Sequence, residues 1–165
     1  QMRFIHYSCE QLTEVKDWTQ DGSDEGGIKP DGLWFSVIRD QDGSDSWRDH
    51  CKASGKTLQP YRTELLLNKE TILWVQTDAK VDEVAKEYGY LRPPPKIPNP
   101  ARNYPSTAIR WKRLARNYGG IVVVIGPHCS EYARQESLWY STWDCASGCV
   151  WKANAVRELR PLPQI

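Results

Sequence analysis

The sequence lacks the short motifs that mark the common enzyme classes. Four patterns typical of nucleotide-binding, hydrolase and metalloprotease sites do not occur in it: G-x-G-x-x-G, G-x-x-x-x-G-K-[ST], G-x-S-x-G and H-E-x-x-H. Histidine is scarce, with 3 residues, and the 5 cysteines are irregularly spaced. The close pair Cys145 and Cys149 has no histidine near it, so we do not expect a structural zinc site. With 5 cysteines and 3 histidines, a Cys–His pair can be chosen by chance alone, so the presence of both residue types is weak evidence for a cysteine nucleophile.

An excess of charge and a long apolar run are also missing. Lys plus Arg number 22 against 21 for Asp plus Glu, which excludes the basic composition of a general nucleic-acid binder and that of an acidic tail. The longest uncharged apolar stretch, Ile121 to Ile125, is too short to cross a bilayer. No basic leader with an apolar core opens the chain. With an odd number of cysteines, these features predict a cytoplasmic protein with reduced thiols and no membrane contact.

Tryptophan and tyrosine, in contrast, are abundant. The chain has 8 Trp and 8 Tyr beside only 2 Phe and 1 Met. Both side chains combine a large apolar face with a polar group, and they are favoured where a ring meets water or a ligand. A core built from Trp is the alternative interpretation.

The length of 165 residues fits a single domain, 1–165, in which strands dominate both halves. The early strands are expected at Met2 to Ser8, at Gly32 to Ile38, and in a hairpin made by Tyr61 to Leu67 and Thr71 to Thr77. Ile121 to Ile125 predicts a strand buried on both faces, with a central place in the sheet. Leu138 to Trp143 and Cys149 to Ala153 are strand-like, Ala155 to Leu159 is a short terminal element, and Pro161 is expected to fray the tail.

Helices are predicted as inserts between these strands, which makes the class α+β. Cys9 to Trp18 is expected to be helix-like or turn-rich. The other helices are expected from Asp45 to Ala53 with Ser44 as cap, from Ala79 to Tyr88 with Asp78 as cap, and from Ser106 to about Tyr118. The stretch from Arg92 to Pro105 holds 6 Pro and is predicted to be a stiff connector or an arm over a site.

Three segments carry a more specific pattern. They are His6-Tyr7-Ser8 on the first strand, Gly32-Leu33-Trp34-Phe35-Ser36 on the second, and Ser44-x-Ser46-Trp47 with Cys51 at the head of a helix. This order resembles the ADP-ribosyltransferase fold, in particular its diphtheria-toxin and poly(ADP-ribose) polymerase branch. The resemblance implies split antiparallel β-sheets with short flanking helices. Two segments, Lys29 to Trp34 and Trp143 to Cys149, also resemble parts of small bacterial and phage proteins that have no assigned activity.

The resemblance implies NAD as the substrate and assigns expected roles to residues. Trp34 and Trp47 would sandwich the cationic nicotinamide ring, and His6 would hold a ribose hydroxyl. Ser36 or Ser8 would bond the ribose or the carboxamide. The implied NAD-binding set is completed by Tyr7, Gly32 and Ser46.

The family normally places a catalytic Glu on a late strand, and no Glu here lies on a convincing one. Asp144, between Trp143 and Cys145, is our candidate for the catalytic carboxylate, with Glu131 and Glu136 as alternatives. With His6 it forms the expected catalytic pair. Structural explanations stand beside these roles: His6 as a hydrogen-bonded strand-end residue, Trp34 as core, and Asp144 as a turn acid or cap.

The sequence therefore predicts a mono-ADP-ribosyltransferase that moves ADP-ribose from NAD to a protein or nucleic-acid acceptor and releases nicotinamide. Such an enzyme suits a toxin, a phage effector or a counter-defence factor. An NAD glycohydrolase, with water as acceptor, is the close alternative. From other classes, we consider a non-catalytic module that stacks unpaired bases while the stretch from Arg110 to Arg116 contacts phosphates, and an immunity or inhibitor protein on an inactivated scaffold.

Overall fold

The computed structural model describes residues 1–21, 28–39, 43–92, 107–124, 139–143 and 145–164. Its strands are β1 (Met2–Ser8), β2 (Leu33–Arg39), β3 (Tyr61–Leu67), β4 (Ile72–Val75), β5 (Gly89–Leu91), β6 (Thr107–Ile109), β7 (Gly120–Val123), β8 (Ser147–Val150) and β9 (Val156–Leu162). The α-helices are α1 (Ser46–Ser54), α2 (Asp78–Tyr88) and α3 (Trp111–Leu114). Three short 3₁₀ turns cover Lys69–Thr71, Trp139–Thr142 and Ala153–Ala155.

Seven of these strands form one mixed sheet in the order β4-β7-β8-β2-β1-β3-β9. The β4–β7 pair is parallel, and the other neighbours are antiparallel. Strands β5 and β6 pair separately, on either side of the proline-rich stretch, whose residues 93–105 lie outside the described part of the chain. The predicted α+β class is confirmed at this level.

The expected hairpin between β3 and β4 is wrong. Strand β3 is hydrogen-bonded by β1 on one side and by β9 on the other, so it offers no edge to β4. Strand β4 instead pairs with β7 at the far end of the sheet order. The sequence pattern correctly predicted two strands. Which strands pair with each other depends on long-range packing, which a local pattern does not contain.

The short link between β3 and β4 shows that the sheet curls. Five strand spacings separate the two strands in the sheet order. A flat sheet would set them about 24 Å apart, whereas the link from Leu67 to Ile72 reaches at most about 17 Å. The β4 edge therefore bends back toward β3, and Leu67 and Ile72 join one hydrophobic cluster.

The two faces of the sheet bury different cores. Along β7, Ile121 and Val123 join the first cluster while Val122 joins the second, as the alternation of a strand requires. Every residue of β7 is buried, as predicted, although β7 lies second from an edge. The first cluster is rich in indoles and is covered by α2, and the second is mainly aliphatic.

Several helix boundaries differ from the sequence prediction. The cap of α1 is Asp45, not Ser44, and its carboxylate accepts from the Arg48 backbone N–H. The cap of α2 is Thr77, not Asp78. Gly55 ends α1 in the left-handed region with a φ of 74°. The segment from Cys9 to Trp18 forms no helix.

The helix expected from Ser106 to Tyr118 is mostly wrong. Thr107–Ile109 forms β6, because the β-branched Thr107 and Ile109 pair with β5 and Ile109 is fully buried there. Only Trp111–Leu114 is helical.

The late strands also differ. Trp139 and Tyr140 are both fully buried, but they lie in the 3₁₀ turn Trp139–Thr142 and not in a strand. Strand β8 begins at Ser147 rather than Cys149. Pro161 does not fray the tail, because β9 is an edge strand and tolerates a missing N–H.

Candidate functional site

A cleft of about 370 Å³ opens beside the start of α1 and the ends of β1, β2 and β8. Its lining combines aromatic rings, hydroxyls and one ammonium group. The lining residues are Ile5, His6, Tyr7, Lys29, Trp34, Phe35, Ser36, Trp47, Gln59, Trp143, Cys145 and Ser147.

Five residues predicted for the site meet in this cleft: His6, Tyr7, Trp34, Ser36 and Trp47. They come from three separate segments of the chain, brought together because β1 pairs with β2 and α1 packs against β2. Ser8, Gly32 and Ser46 are not among the lining residues. The candidate carboxylate Asp144, and its alternatives Glu131 and Glu136, lie outside the described residues.

The three predicted residues that do not line the cleft have structural contacts. The Ser8 hydroxyl donates to the Glu10 carbonyl at 2.5 Å. A Cβ on Gly32 would stand 2.5 Å from the Val150 carbonyl oxygen, so this position admits only glycine without a shift of β8. The Ser46 hydroxyl donates to the Ala146 carbonyl, which ties α1 to the segment before β8.

His6 is held in one orientation and in one tautomer. Its Nδ1 lies 2.6 Å from the Trp34 carbonyl oxygen. Because a carbonyl only accepts, Nδ1 carries the hydrogen and donates it. Burial lowers the pKa of His6 below its ordinary value, and the hydrogen bond to Trp34 offsets only part of that effect. At neutral pH the ring is therefore neutral, and Nε2 is a hydrogen-bond acceptor.

Behind the cleft lies a hydrogen-bonded network centred on Asp45, which is 7% exposed. The Tyr7 hydroxyl donates to one carboxylate oxygen of Asp45, and the Ser36 hydroxyl donates to the other. Ser36 Oγ in turn accepts from the Trp47 backbone N–H at 2.9 Å. Burial, followed by the hydrogen bond to Asp45, raises the pKa of Tyr7 far above its ordinary value, so the phenol stays protonated.

Trp34 lies between the cleft and the indole cluster of the core. Its ring meets that of Trp143 edge to face, with centroids 5.0 Å apart. Trp143 in turn contacts Trp111, Trp139 and Tyr140. Four indoles, Trp143 among them, are fully buried in the core, and Trp34 and Trp47 line the cleft together with Trp143.

Trp47 also lines the cleft. Its ring stacks on His50 with centroids 5.4 Å apart and an angle of 27°. Among the described aromatic contacts, none joins Trp47 to Trp34. The two indoles therefore line the same cleft without packing on each other.

A lysine accompanies each of these indoles. The Lys29 ammonium lies 5.9 Å from the Trp34 ring centroid, and the Lys56 ammonium lies 5.6 Å from that of Trp47. No sequence pattern assigned a functional role to either lysine, to Gln59 or to Asp45. Lys29 belongs to the motif from Lys29 to Trp34, which could have drawn attention to it, whereas Gln59 has no local signal.

Within the described ranges, no group of three or more His, Cys, Asp or Glu is placed to hold a metal ion. Burial raises the pKa of the Cys149 thiol well above its ordinary value, so this cysteine stays protonated. None of the helices in the described segments has the length and apolar character needed to span a bilayer.

The charges of the stretch from Arg110 to Arg116 do not line the cleft. Its apolar residues Trp111 and Leu114 are fully buried, while Lys112 and Arg113 are exposed.

Comparison of the chain with protein-family models, with curated proteins and with solved structures gives no match.

Proposed function

We propose that the protein is a mono-ADP-ribosyltransferase of ADP-ribosyltransferase-like fold, which cleaves NAD, releases nicotinamide and transfers ADP-ribose to a protein or nucleic-acid acceptor. One observation carries this proposal. His6, Trp34 and Trp47, singled out by the resemblance from three separate segments, line one cleft. The neighbours of Asp144 on both sides, Trp143 and Cys145, line it as well.

The presence of two indoles in the lining of one cleft suits the leaving group. Nicotinamide bound to ribose is a flat cation, and indole faces attract such rings through stacking and cation–π interaction. The indole cluster behind Trp34 supplies a rigid backing, because Trp143 is 1% exposed and packed on three sides by aromatic rings. A rigid backing holds the ring in one pose, which is how such a site lowers the barrier.

The polar groups suit the remainder of NAD. The neutral His6 presents Nε2 as an acceptor for a ribose hydroxyl. Lys29, which lines the cleft, provides positive charge for the pyrophosphate, and Lys56 adds positive charge next to Trp47, outside the lining. A ligand with a flat cationic ring, sugar hydroxyls and two phosphates matches each of these groups.

In the proposed reaction the bond between ribose C1′ and the nicotinamide nitrogen breaks. The bonding electron pair leaves with that nitrogen, so nicotinamide departs neutral, and the ribose acquires oxocarbenium character. The Asp144 carboxylate stabilises this charge. The acceptor nucleophile then attacks C1′ and loses its proton. If water is the acceptor, the same steps describe an NAD glycohydrolase.

Turnover of labelled NAD tests the proposal. The protein is incubated with NAD labelled in the adenylate half and with cell lysate, and we expect nicotinamide release together with transfer of label to macromolecules. Nicotinamide release without transfer would identify a glycohydrolase. Absence of release with every lysate would contradict the proposal.

Variants connect the turnover to the cleft. Trp34→Ala and Trp47→Ala each remove one stacking face, and we expect about a 10- to 100-fold fall in turnover, since a stacked ring contributes about 1–3 kcal/mol. Trp18→Ala is the matched control, because Trp18 is 47% exposed and does not line the cleft. Asp144→Ala is expected to abolish release, with Glu131→Ala and Glu136→Ala in parallel.

A second candidate rests on the pairing of lysines with indoles. Lys29 with Trp34 and Lys56 with Trp47 also form a suitable surface for an unpaired base and its phosphate. A non-catalytic nucleic-acid-binding module is therefore the alternative. Salt-sensitive binding of a single-stranded oligonucleotide, lost in Trp34→Ala and Trp47→Ala and accompanied by no NAD turnover, would favour it.

A further inference from the structure

Asp45 lies directly behind the cleft and is not itself among the lining residues. Its carboxylate accepts three hydrogen bonds: one oxygen accepts from the Tyr7 hydroxyl, and the other accepts from the Ser36 hydroxyl and from the Arg48 backbone N–H. Asp45 therefore joins β1, β2 and the first turn of α1.

This network fixes which groups the cleft can offer to a ligand. A tyrosine hydroxyl has one hydrogen, and Tyr7 gives it to Asp45. The oxygen of Tyr7 then retains only its acceptor capacity for anything bound in the cleft. His6, the preceding residue, likewise donates its Nδ1 hydrogen to the Trp34 carbonyl and retains Nε2 as an acceptor. Two neighbouring side chains of β1 thus accept and do not donate.

We propose that Asp45 is a positioning residue that sets the hydrogen-bonding polarity of the cleft, so that the site selects ligands presenting a sugar hydroxyl hydrogen to Tyr7. The inference rests on the proposed function and deepens it, since it assigns to Tyr7 one of the donating groups of NAD, a ribose hydroxyl. A ligand with a phosphate or carboxylate oxygen at that point meets another acceptor and is rejected.

Asp45→Asn isolates this role from helix capping. Asparagine caps helices about as well as aspartate. The cap requires an oxygen opposite the Arg48 N–H, which leaves the amide NH2 facing Tyr7. That NH2 donates to the Tyr7 oxygen, and the Tyr7 hydrogen turns toward the cleft. The substitution therefore inverts the polarity at Tyr7 while the fold and the cap remain.

The first measurement is NAD affinity, by calorimetry, in a double-mutant cycle. We expect about tenfold weaker binding in Asp45→Asn and in Tyr7→Phe. In the Tyr7→Phe background, Asp45→Asn should weaken binding by less than about twofold, because the group that it acts through is gone. Tyr61→Phe, on neighbouring strand β3, is the matched control and should bind as the wild type does. Losses that multiply in the double variant would overturn the inference, since they would indicate two independent effects.

Two NAD analogues identify which group of NAD donates a hydrogen bond to Tyr7. NAD with a deoxygenated ribose should bind equally to the wild type and to Tyr7→Phe. Nicotinic acid adenine dinucleotide, which lacks the amide hydrogens, should still distinguish these two proteins. The reverse pattern would show that the carboxamide donates to Tyr7 and would overturn the assignment to a sugar hydroxyl.

The last measurement needs no ligand. In the proton NMR spectrum, we expect a downfield Tyr7 hydroxyl resonance in the wild type, absent in Tyr7→Phe and shifted upfield in Asp45→Asn. An unchanged resonance in Asp45→Asn would overturn the inference. A wild type that shows this resonance and fails to bind NAD would contradict the proposed function and leave the polarity of the cleft established.

Discussion

The cleft has two walls that are built by opposite means. One, the hydrogen-bonded wall, consists of Tyr7 and Ser36, with Ser46 and the buried carboxylate of Asp45 behind them. The other, the indole wall, consists of Trp143 and the three fully buried indoles behind it, Trp111, Trp139 and Trp151. The first is specified by directional bonds between named atoms, and the second by the volume of large rings.

We expect the hydrogen-bonded wall to affect mainly ligand recognition and the indole wall to affect mainly stability. Removing one partner from the hydrogen-bonded wall leaves a buried polar group unsatisfied and changes what the cleft offers to a ligand. Removing a ring from the indole wall leaves a cavity in the core and weakens the whole fold. Substitutions in each wall should therefore differ in kind as well as in size.

The largest expected effect is in the indole wall. Trp111 is fully buried and contacts three other indoles, so Trp111→Ala should lower the free energy of unfolding by about 3–5 kcal/mol. Urea denaturation followed by circular dichroism measures the change. Trp18→Ala, at a side chain 47% exposed, should change stability by much less. Equal losses in the two variants would show that the indole cluster is not the source of stability.

The next effect concerns the joint between the walls, where β8 passes against β2. A Cβ on Gly148 would lie 2.3 Å from Cζ of Phe35. Gly148→Ala should therefore cost about 3 kcal/mol of unfolding free energy, at the upper end for an added methyl group. Gly43→Ala is an informative control, because no atom lies within 4 Å of its added Cβ and only the cost of its φ of +67° remains. An unchanged free energy of unfolding in Gly148→Ala would mean that Phe35 moves aside without cost.

A smaller loss is expected in the hydrogen-bonded wall. Ser36→Ala removes a donor to Asp45 and leaves the Trp47 backbone N–H without its acceptor. The free energy of unfolding should fall by about 2 kcal/mol. The proposed NAD turnover should fall further than stability alone explains, because the Trp47 backbone N–H loses its acceptor. Ser8→Ala, which removes only a local bond to the Glu10 carbonyl, is the matched control. A Ser36→Ala variant with unchanged turnover would contradict the coupling of this wall to the ligand.

The smallest effect is a pH dependence at His6. Its pKa is lowered in the folded protein by burial, so the unfolded chain binds more protons as the pH falls below about 6.5. The contribution of His6 to stability is therefore fully present above that pH and is lost as the pH falls toward the folded pKa. Thermal unfolding between pH 8 and pH 5 should show a shallower decline in His6→Gln than in the wild type. Parallel curves would contradict a neutral, buried His6.

Local patterns predicted the elements that carry the candidate site. Alternation and capping signals located β1, β2 and α1 to within a residue or two, and the types of side chain on them suggested the site. Their meeting in one cleft depends on the pairing of β1 with β2, which adjacent strands commonly adopt.

The errors arose where distant packing decides the structure. The β3–β4 hairpin was wrong because β9, from the end of the chain, occupies the free side of β3. Thr107–Ile109 is a strand because β5 is there to pair with it. Asp45 was not predicted as a site residue, because Tyr7, its hydrogen-bond donor, lies 38 positions away in the sequence.

The position of β8 has a consequence for synthesis of the protein. This strand, Ser147–Val150, lies between β7 and β2, and it is the element through which the β4–β7 pair is joined to the β2–β1–β3 group. A nascent chain that has emerged from the ribosome only as far as β7 has two sheet fragments with no shared ladder. The cleft, which needs Trp143, Cys145 and Ser147, is then incomplete as well. Nascent chains arrested before β8 should therefore lack the complete cleft, which forms only when translation has passed this strand.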